Sequence, residues 1–193
     1  MNPAPRVVVA EDESIIRMDL VESLLAAGAD VVGQAGDGRS ALELIRTVRP
    51  DVALLDIQMP ELDGLQVAEQ ILEERLCAVV MVTAFSQTGL VERAADAGAM
   101  GFLVKPIQPA DLLPAIAVAR AGFAQLQQLR DSVEDLEHQL ASRKVIERAK
   151  ALLQERYSMG EADAFRWLQK AAMDQRTSMR VVAETLLRST AQK

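Results

Sequence analysis

The sequence predicts an α/β domain built on a doubly wound, five-stranded parallel sheet. A helical coiled-coil linker and an all-α bundle of three helices are predicted to follow it. Three observations lead there. Short β-branched apolar runs alternate with amphipathic stretches over roughly the first 120 residues. From about Pro109 onward no such run returns. The charge also divides: residues 1–120 carry net −9 and residues 141–193 carry net +5.

The apolar runs are Arg6–Ala10 (RVVVA), 30–34 (DVVGQ), 52–55 (VALL), 78–82 (AVVMV) and 100–104 (MGFLV). Their length and branching suit strands buried on both faces. Helical periodicity occupies 15–27, 38–48, 65–74, 90–97 and 112–119. Strand–helix alternation of this kind builds a parallel sheet with helices on both faces. Right-handed crossovers then bring every strand's C-terminal end to one edge, where open α/β sheets bind ligands.

Beyond the last run, Leu126, Leu129, Val133, Leu136 and Leu140 fall at spacings of 3, 4, 3 and 4. That is the a/d seam of a coiled-coil dimer, or else one face of a helix packed within the chain. The fifth helix starts near Pro109 and runs into this seam, with Gly122 as the position where it would break. Three helices follow: one through Val145, Ile146, Ala149, Leu152 and Leu153, one from Glu161 with Gly160 as N-cap, and one from near Thr177 or Ser178, either of which can cap it. Three short helices make a marginal core alone, and dimerisation through the seam would support it. The domains are read as 1–120, a linker over 121–140, and 141–193.

Composition excludes several classes. At 193 residues the chain holds one domain or two small ones. A single cysteine, Cys77, allows no internal disulfide or Cys-built zinc site, and a single histidine, His138, allows no histidine cluster. No apolar run approaches a membrane span, and the opening MNPAPRVVVAEDES is too soon charged for a signal peptide. A cytoplasmic protein with no membrane partner is expected. The net charge of −7 taken alone opposes nucleic acid, but it averages two unlike parts.

Glu11 and Asp12 directly follow the first strand, Asp56 the third, Thr83 the fourth and Lys105 the fifth. Three carboxylates, a hydroxyl and an ammonium should therefore converge at one edge. Hard oxygen donors suit Mg²⁺, or Mn²⁺ in its place, bound by carboxylates together with a phosphoryl oxygen. The chemistry this permits is phosphoryl transfer to a carboxylate, with Asp56 as nucleophile and Lys105 as a positive charge on the transferring oxygens. Without its metal, such a cluster repels itself, so a divalent ion should stabilise the fold.

On these residues the chain resembles a response-regulator receiver domain, over roughly 5–120. The Glu11-Asp12 pair, Asp56 in LLDIQMPELDG, Thr83-Ala84 and Val104-Lys105-Pro106 carry the resemblance. It implies a flavodoxin-like fold in which Asp56 is phosphorylated by a cognate sensor histidine kinase. The backbone carbonyl of Gln58 would complete the Mg²⁺ shell, and Thr83 would be drawn to the phosphoryl group. Phe102 stands where receivers carry a switching aromatic that follows Thr83, the other reading being plain core. The resemblance implies no enzyme beyond self-phosphorylation and loss of phosphate.

Residues from about 136 to 190 resemble the ANTAR domain, the RNA-binding output module of antiterminators. The match lies in LASRKVIERAKALLQERY, EADAFRWLQKAAM and RTSMRVVAETLL. Ala151 and Gly160 depart mildly from the family pattern. The resemblance implies binding to paired RNA stem-loops that overlap a terminator, hence transcription antitermination. The residues expected to contact RNA are Arg143, Lys144, Arg148, Lys150, Lys170, Arg176 and Arg180, a basic surface that attracts phosphate. A solvated helix face is the plainer explanation of each one singly. Trp167 is read as core rather than as a stacking platform.

Phosphorylation adds roughly −1.5 to −2 charge at Asp56. Repacking around Thr83 and Phe102 is then expected to favour a homodimer that places two bundles for two stem-loops. Two rival functions remain: a DNA-binding response regulator, and a regulator that sequesters a protein partner through the bundle. The third bundle helix holds only Arg180 and Arg188, few for a DNA-recognition helix.

Overall fold

The computed structural model describes residues 3–84 and 88–191. Its elements run β1 (Arg6–Ala10), α1 (Ser14–Ala26), β2 (Asp30–Ala35), α2 (Gly38–Val48), β3 (Val52–Asp56), α3 (Gly64–Glu73), β4 (Ala78–Thr83), α4 (Thr88–Asp96), β5 (Gly101–Val104), α5 (Pro109–Tyr157), α6 (Glu161–Asp174) and α7 (Met179–Ala191). The strands pair in parallel in the order β2-β1-β3-β4-β5. This is the doubly wound sheet the alternation predicts.

Period-two alternation sorts the strand side chains into two cores. Val8, Ala10, Ala53, Leu55, Val79 and Met81 pack with α2, α3 and Ala94 of α4. Val7, Val9, Val52, Leu54, Val80 and Val82 pack with Leu20 and Leu24 of α1 and with Leu112, Ile116 and Ala119 of α5. The order reverses between β1 and β3, so the crevice opens at the ends of those two strands.

Local chemistry fixes the helix starts around that crevice. The Asp37 carboxylate accepts from Ser40 N–H at 2.8 Å and caps α2. Asp63 and Gln66 form a reciprocal capping box on α3. Gly64, which opens α3, has no room for a side chain: a Cβ would lie 2.0 Å from the Asp56 carbonyl oxygen. That close approach holds α3 against the end of β3.

Gly122 does not break α5, which is one helix of 49 residues. Phe123 packs into the α1/α5 core beside Met100, and this packing outweighs the ~1 kcal/mol helix cost of a glycine. The chain divides into compact units at Gln128/Leu129, eight residues beyond the boundary read from the sequence.

In the second unit, Ala149 and Leu153 of α5, Ala164, Leu168 and Ala172 of α6, and Val182 and Ala183 of α7 form a separate core. The Ser178 hydroxyl accepts from Val181 N–H at 3.3 Å, so of the two proposed caps Ser178 is the one that bonds α7. Trp167 is not core. It stands one residue off the Ala164–Leu168–Ala172 stripe and is 42 % exposed. Among the described residues, no helix is long and apolar enough to cross a membrane.

Candidate functional site

The sheet edge brings together the side chains the sequence places there. Carboxylate oxygens of Glu11, Asp12 and Asp56 lie within 4.8 Å of one another. Glu11, Asp56 and Thr83 are buried, whereas Asp12 is exposed. Lys105 Nζ lies 2.6 Å from Glu11 Oε2 and 3.4 Å from Asp56 Oδ2. Its backbone N–H donates to the Thr83 carbonyl at 2.8 Å, which ties the β5 end to the β4 end. Asp56 Oδ1 accepts from Ile57 N–H at 2.9 Å.

Burial pushes the Asp56 carboxyl above the ordinary range, against the pull of Lys105 and the Ile57 N–H, and Asp12 adds to the rise. Burial likewise raises Glu11, partly offset by Lys105 and reinforced by Asp56. Burial alone would lower Lys105, but Glu11 and Asp56 outweigh it and its pKa rises. Two buried acids thus share one ammonium, and the site carries surplus negative charge.

That donor set fits a divalent metal. Three carboxylates converge. The buried Glu11 Oε2 meets Lys105 as an ion pair without hydrogen-bond geometry, so it keeps accepting capacity. Hard oxygens in this number, with one ligand open to water, match Mg²⁺. Asp12 and Gln58 line one open cleft of about 570 Å³, together with Met59, Asp63 and Arg93. Phe102 is half-buried and packs against the α2/α3/α4 core.

Sequence reasoning missed two cations at this edge. The Arg17 guanidinium, one turn into α1, bonds the Glu11 carbonyl oxygen. Arg93 reaches the cleft from α4. Neither belongs to a short motif, and only the helix phase on the folded sheet shows where they point. A second hollow of about 610 Å³ adjoins Lys105 between α1 and the loop into α5, with Ile15, Met18 and Ile107 in its wall. Ile15 is 79 % exposed.

The second unit sorts the proposed RNA contacts. Arg143, Lys144, Arg148, Lys170 and Arg176 are exposed, and none appears in an ion pair among the described residues. Lys150 is different and leaves that set. It is buried, lies 3.1 Å from Glu147 Oε1, and bonds Glu161 Oε1 at 2.9 Å. Its position next to Ala149 turns it towards α6 rather than to solvent. Arg180 pairs with Glu184 at 2.8 Å, and Arg188 pairs with the same carboxylate at 3.5 Å.

Fold and site together define a doubly wound domain with an acid-and-lysine cluster at its sheet edge, joined to a helical unit. Residues 7–117 match the response regulator receiver domain family, and residues 134–187 match the ANTAR domain family. The chain therefore belongs to the two-component response regulators that join a receiver to an ANTAR domain.

Among its relatives is the transcriptional regulatory protein PdtaR of Mycobacterium tuberculosis, 50 % identical over 182 residues, which span 94 % of this chain and 89 % of that one. A probable transcriptional regulatory protein NarL of the same organism is 41 % identical over 126 residues, covering 63 % of this chain and 58 % of that one. The solved receiver domain of that NarL matches with a TM-score of 0.60 and 38 % identity, over 63 % of this chain and 99 % of that one. The CheX–CheY–BeF3–Mg²⁺ complex of Borrelia burgdorferi matches at TM-score 0.55 and 27 % identity, over 57 % of this chain and 85 % of that one.

Proposed function

We propose that this response regulator takes a phosphoryl group on Asp56 from a sensor histidine kinase and in response binds RNA stem-loops, preventing transcription termination. The observation that carries the reading is the pairing of two sites in one chain. One is the acid cluster with Lys105 at the sheet edge. The other is the set of exposed cations on the second unit that are unpaired among the described residues, Arg143, Lys144, Arg148 and Lys170.

The receiver reaction follows from the site. An Asp56 carboxylate oxygen attacks the phosphorus of phosphohistidine; the P–N bond breaks and an aspartyl phosphate forms. Glu11, Asp12, Asp56 and the Gln58 carbonyl are the proposed holders of Mg²⁺, which when bound neutralises charge on the transferring oxygens. Lys105 is already within ion-pair distance of Asp56 and supplies the fixed cation. Thr83, buried at the neighbouring strand end, is the residue proposed to bond the new phosphoryl oxygens. Phe102, half-buried beside α4, is the element proposed to repack with it. Nothing else in the reading requires an enzyme: the receiver turns over only its own phosphate.

A kinase must seat next to Asp56. The apolar hollow lined by Ile15, Met18 and Ile107 adjoins Lys105 and supplies that surface. An RNA target is favoured over duplex DNA, because both cations of α7 are engaged by Glu184 and leave that helix poorly charged for a groove.

The test is a gel-shift series with double stem-loop RNA and duplex DNA, with and without acetyl phosphate and Mg²⁺. RNA retention that rises on phosphorylation is expected, and equal or better DNA retention sinks the reading.

A further inference from the structure

We propose that the groove between α5 and Phe165 of α6 is a base-reading subsite that receives an unstacked base from an RNA loop. This rests on the RNA-binding reading above and says where sequence is read. The groove encloses about 660 Å³. Ile146 of α5 and Phe165 form its apolar wall, and Phe165 is 40 % exposed. Gln139, Ser142 and Arg143 line it from α5, offering an amide, a hydroxyl and a guanidinium. An aromatic face beside donors and acceptors is what an extruded base needs, since loop bases are read by stacking and by hydrogen bonds to their edges.

Charge separates this groove from its neighbour. Asp135 and Glu147 also line it. Their carboxylates repel phosphate but accept from base amino groups, so the groove suits a base edge rather than the backbone. A second, smaller hollow of about 380 Å³ shares Arg143 and Glu147 and adds Lys144 and Arg148. Neither Lys144 nor Arg148 is ion-paired among the described residues, so these two cations, rather than the largely apolar hollow they border with Leu140, attract the phosphates. Backbone and base subsites thus lie side by side on one stretch of α5.

One further fact favours Phe165 over the other exposed rings: Trp167 and Tyr157 do not line the groove.

The test uses the full chain, phosphorylated with acetyl phosphate and Mg²⁺, and a pool of RNAs with two short stems and randomised loops. After selection, Phe165→Leu should bind the winning RNA roughly ten-fold more weakly with an unchanged salt slope, because stacking releases no counterions. Phe165→Tyr should keep affinity within about two-fold, since the ring face is retained. Gln139→Ala should relax the selected loop sequence. Ultraviolet cross-linking of 4-thiouridine-substituted RNA should label the tryptic peptide 157–166.

Wild-type affinity in Phe165→Leu, or cross-links confined to the peptide bearing Trp167, overturns the subsite while leaving RNA binding intact. Failure of the wild-type chain to retain any RNA overturns both. Should Phe165→Leu not fold, the Gln139→Ala selection and the cross-link decide.

Discussion

Lys150 of α5 donates a 2.9 Å hydrogen bond to Glu161, the first residue of α6. The bond joins two helices of the output unit across the turn between them. It also holds the Glu161 carboxyl below the ordinary glutamate range and, with Glu147, raises the Lys150 ammonium.

Lys150→Ala should therefore lower the thermal midpoint of the second unit and leave the salt slope of RNA binding unchanged. Lys144→Ala and Arg148→Ala should each reduce that slope by about 1. A carboxyl held low contributes stability above its unfolded pKa and loses it as pH falls through its folded value. The gap between wild type and Lys150→Ala should accordingly be full at pH 7 and close as acid protonates Glu161. Thermal melts across pH 3–7 check this, and a gap independent of pH sinks it.

Gly64→Ala should damage the phosphoryl site from behind. The added methyl meets the Asp56 carbonyl at 2.0 Å and Met81 Cε at 3.0 Å. Backbone must move, so a loss of at least 2 kcal/mol, roughly, is expected, with weaker Mg²⁺ binding. Gly28→Ala is the contrast. Its φ is +90°, but nothing lies within 4 Å of the new carbon, so only about 1 kcal/mol of backbone strain is expected. Urea unfolding of both variants with and without Mg²⁺ separates the two mechanisms.

The sheet was readable because its central strands β1, β3 and β4 are buried on both faces and leave little choice of residue. The first strand and second helix match their sequence-read spans to the residue; Glu11 and Lys105 directly follow β1 and β5, while Asp56 and Thr83, read as following their strands, are the last residues of β3 and β4. The misreadings lie where helix phase and tertiary contact decide. Gly122 reads as a break, yet Phe123 and Met100 pack the helix through it. Lys150 and Trp167 sit at the margins of helical stripes, where one residue of phase separates core from surface: the lysine turns in and the tryptophan turns out. Arg17 and Arg93 reach the site from helices, so strand-end logic passes over them.

Mg²⁺ should raise the melting temperature of the receiver, since it binds a site of surplus negative charge in the folded state alone. At about 100 times its Kd the gain is about 2.7 kcal/mol. Asp12→Asn removes one of the three carboxylates without emptying the core, because Asp12 is exposed. It should abolish most of the Mg²⁺ shift and raise metal-free stability, through relief of repulsion with Asp56. Scanning calorimetry in chelator and in Mg²⁺ reads both, and an unchanged shift in Asp12→Asn excludes it as a ligand.

Kinase docking and phosphoryl chemistry should separate at α1. Ile15 and Met18 are 79 % and 66 % exposed and line the hollow beside Lys105, but they do not belong to the acid cluster. Ile15→Asp with Met18→Asp should abolish transfer from the kinase and leave acetyl-phosphate labelling of Asp56 intact. Loss of both activities together would place these residues in the chemistry instead.

The a/d stripe of α5 should dimerise the chain. Leu129, Val133, Leu136 and Leu140 are 54–59 % exposed, far more than an apolar row tolerates in a monomer without purpose. The stripe ends at Arg143, three residues past Leu140, where a charge takes the next seam position. Valine at an a position with leucine at d favours two strands. Leu136→Glu costs each copy a buried leucine at the seam, so the dimer should weaken on the order of a hundred-fold. None of the three cores of the described residues contains Leu136, so both units should stay folded. RNA with two stem-loops should then bind scarcely better than RNA with one, because the second contact is no longer intramolecular. Sedimentation velocity with and without acetyl phosphate tests the seam. A wild-type chain monomeric in both conditions, or a Leu136→Glu variant that dimerises as wild type does, removes it.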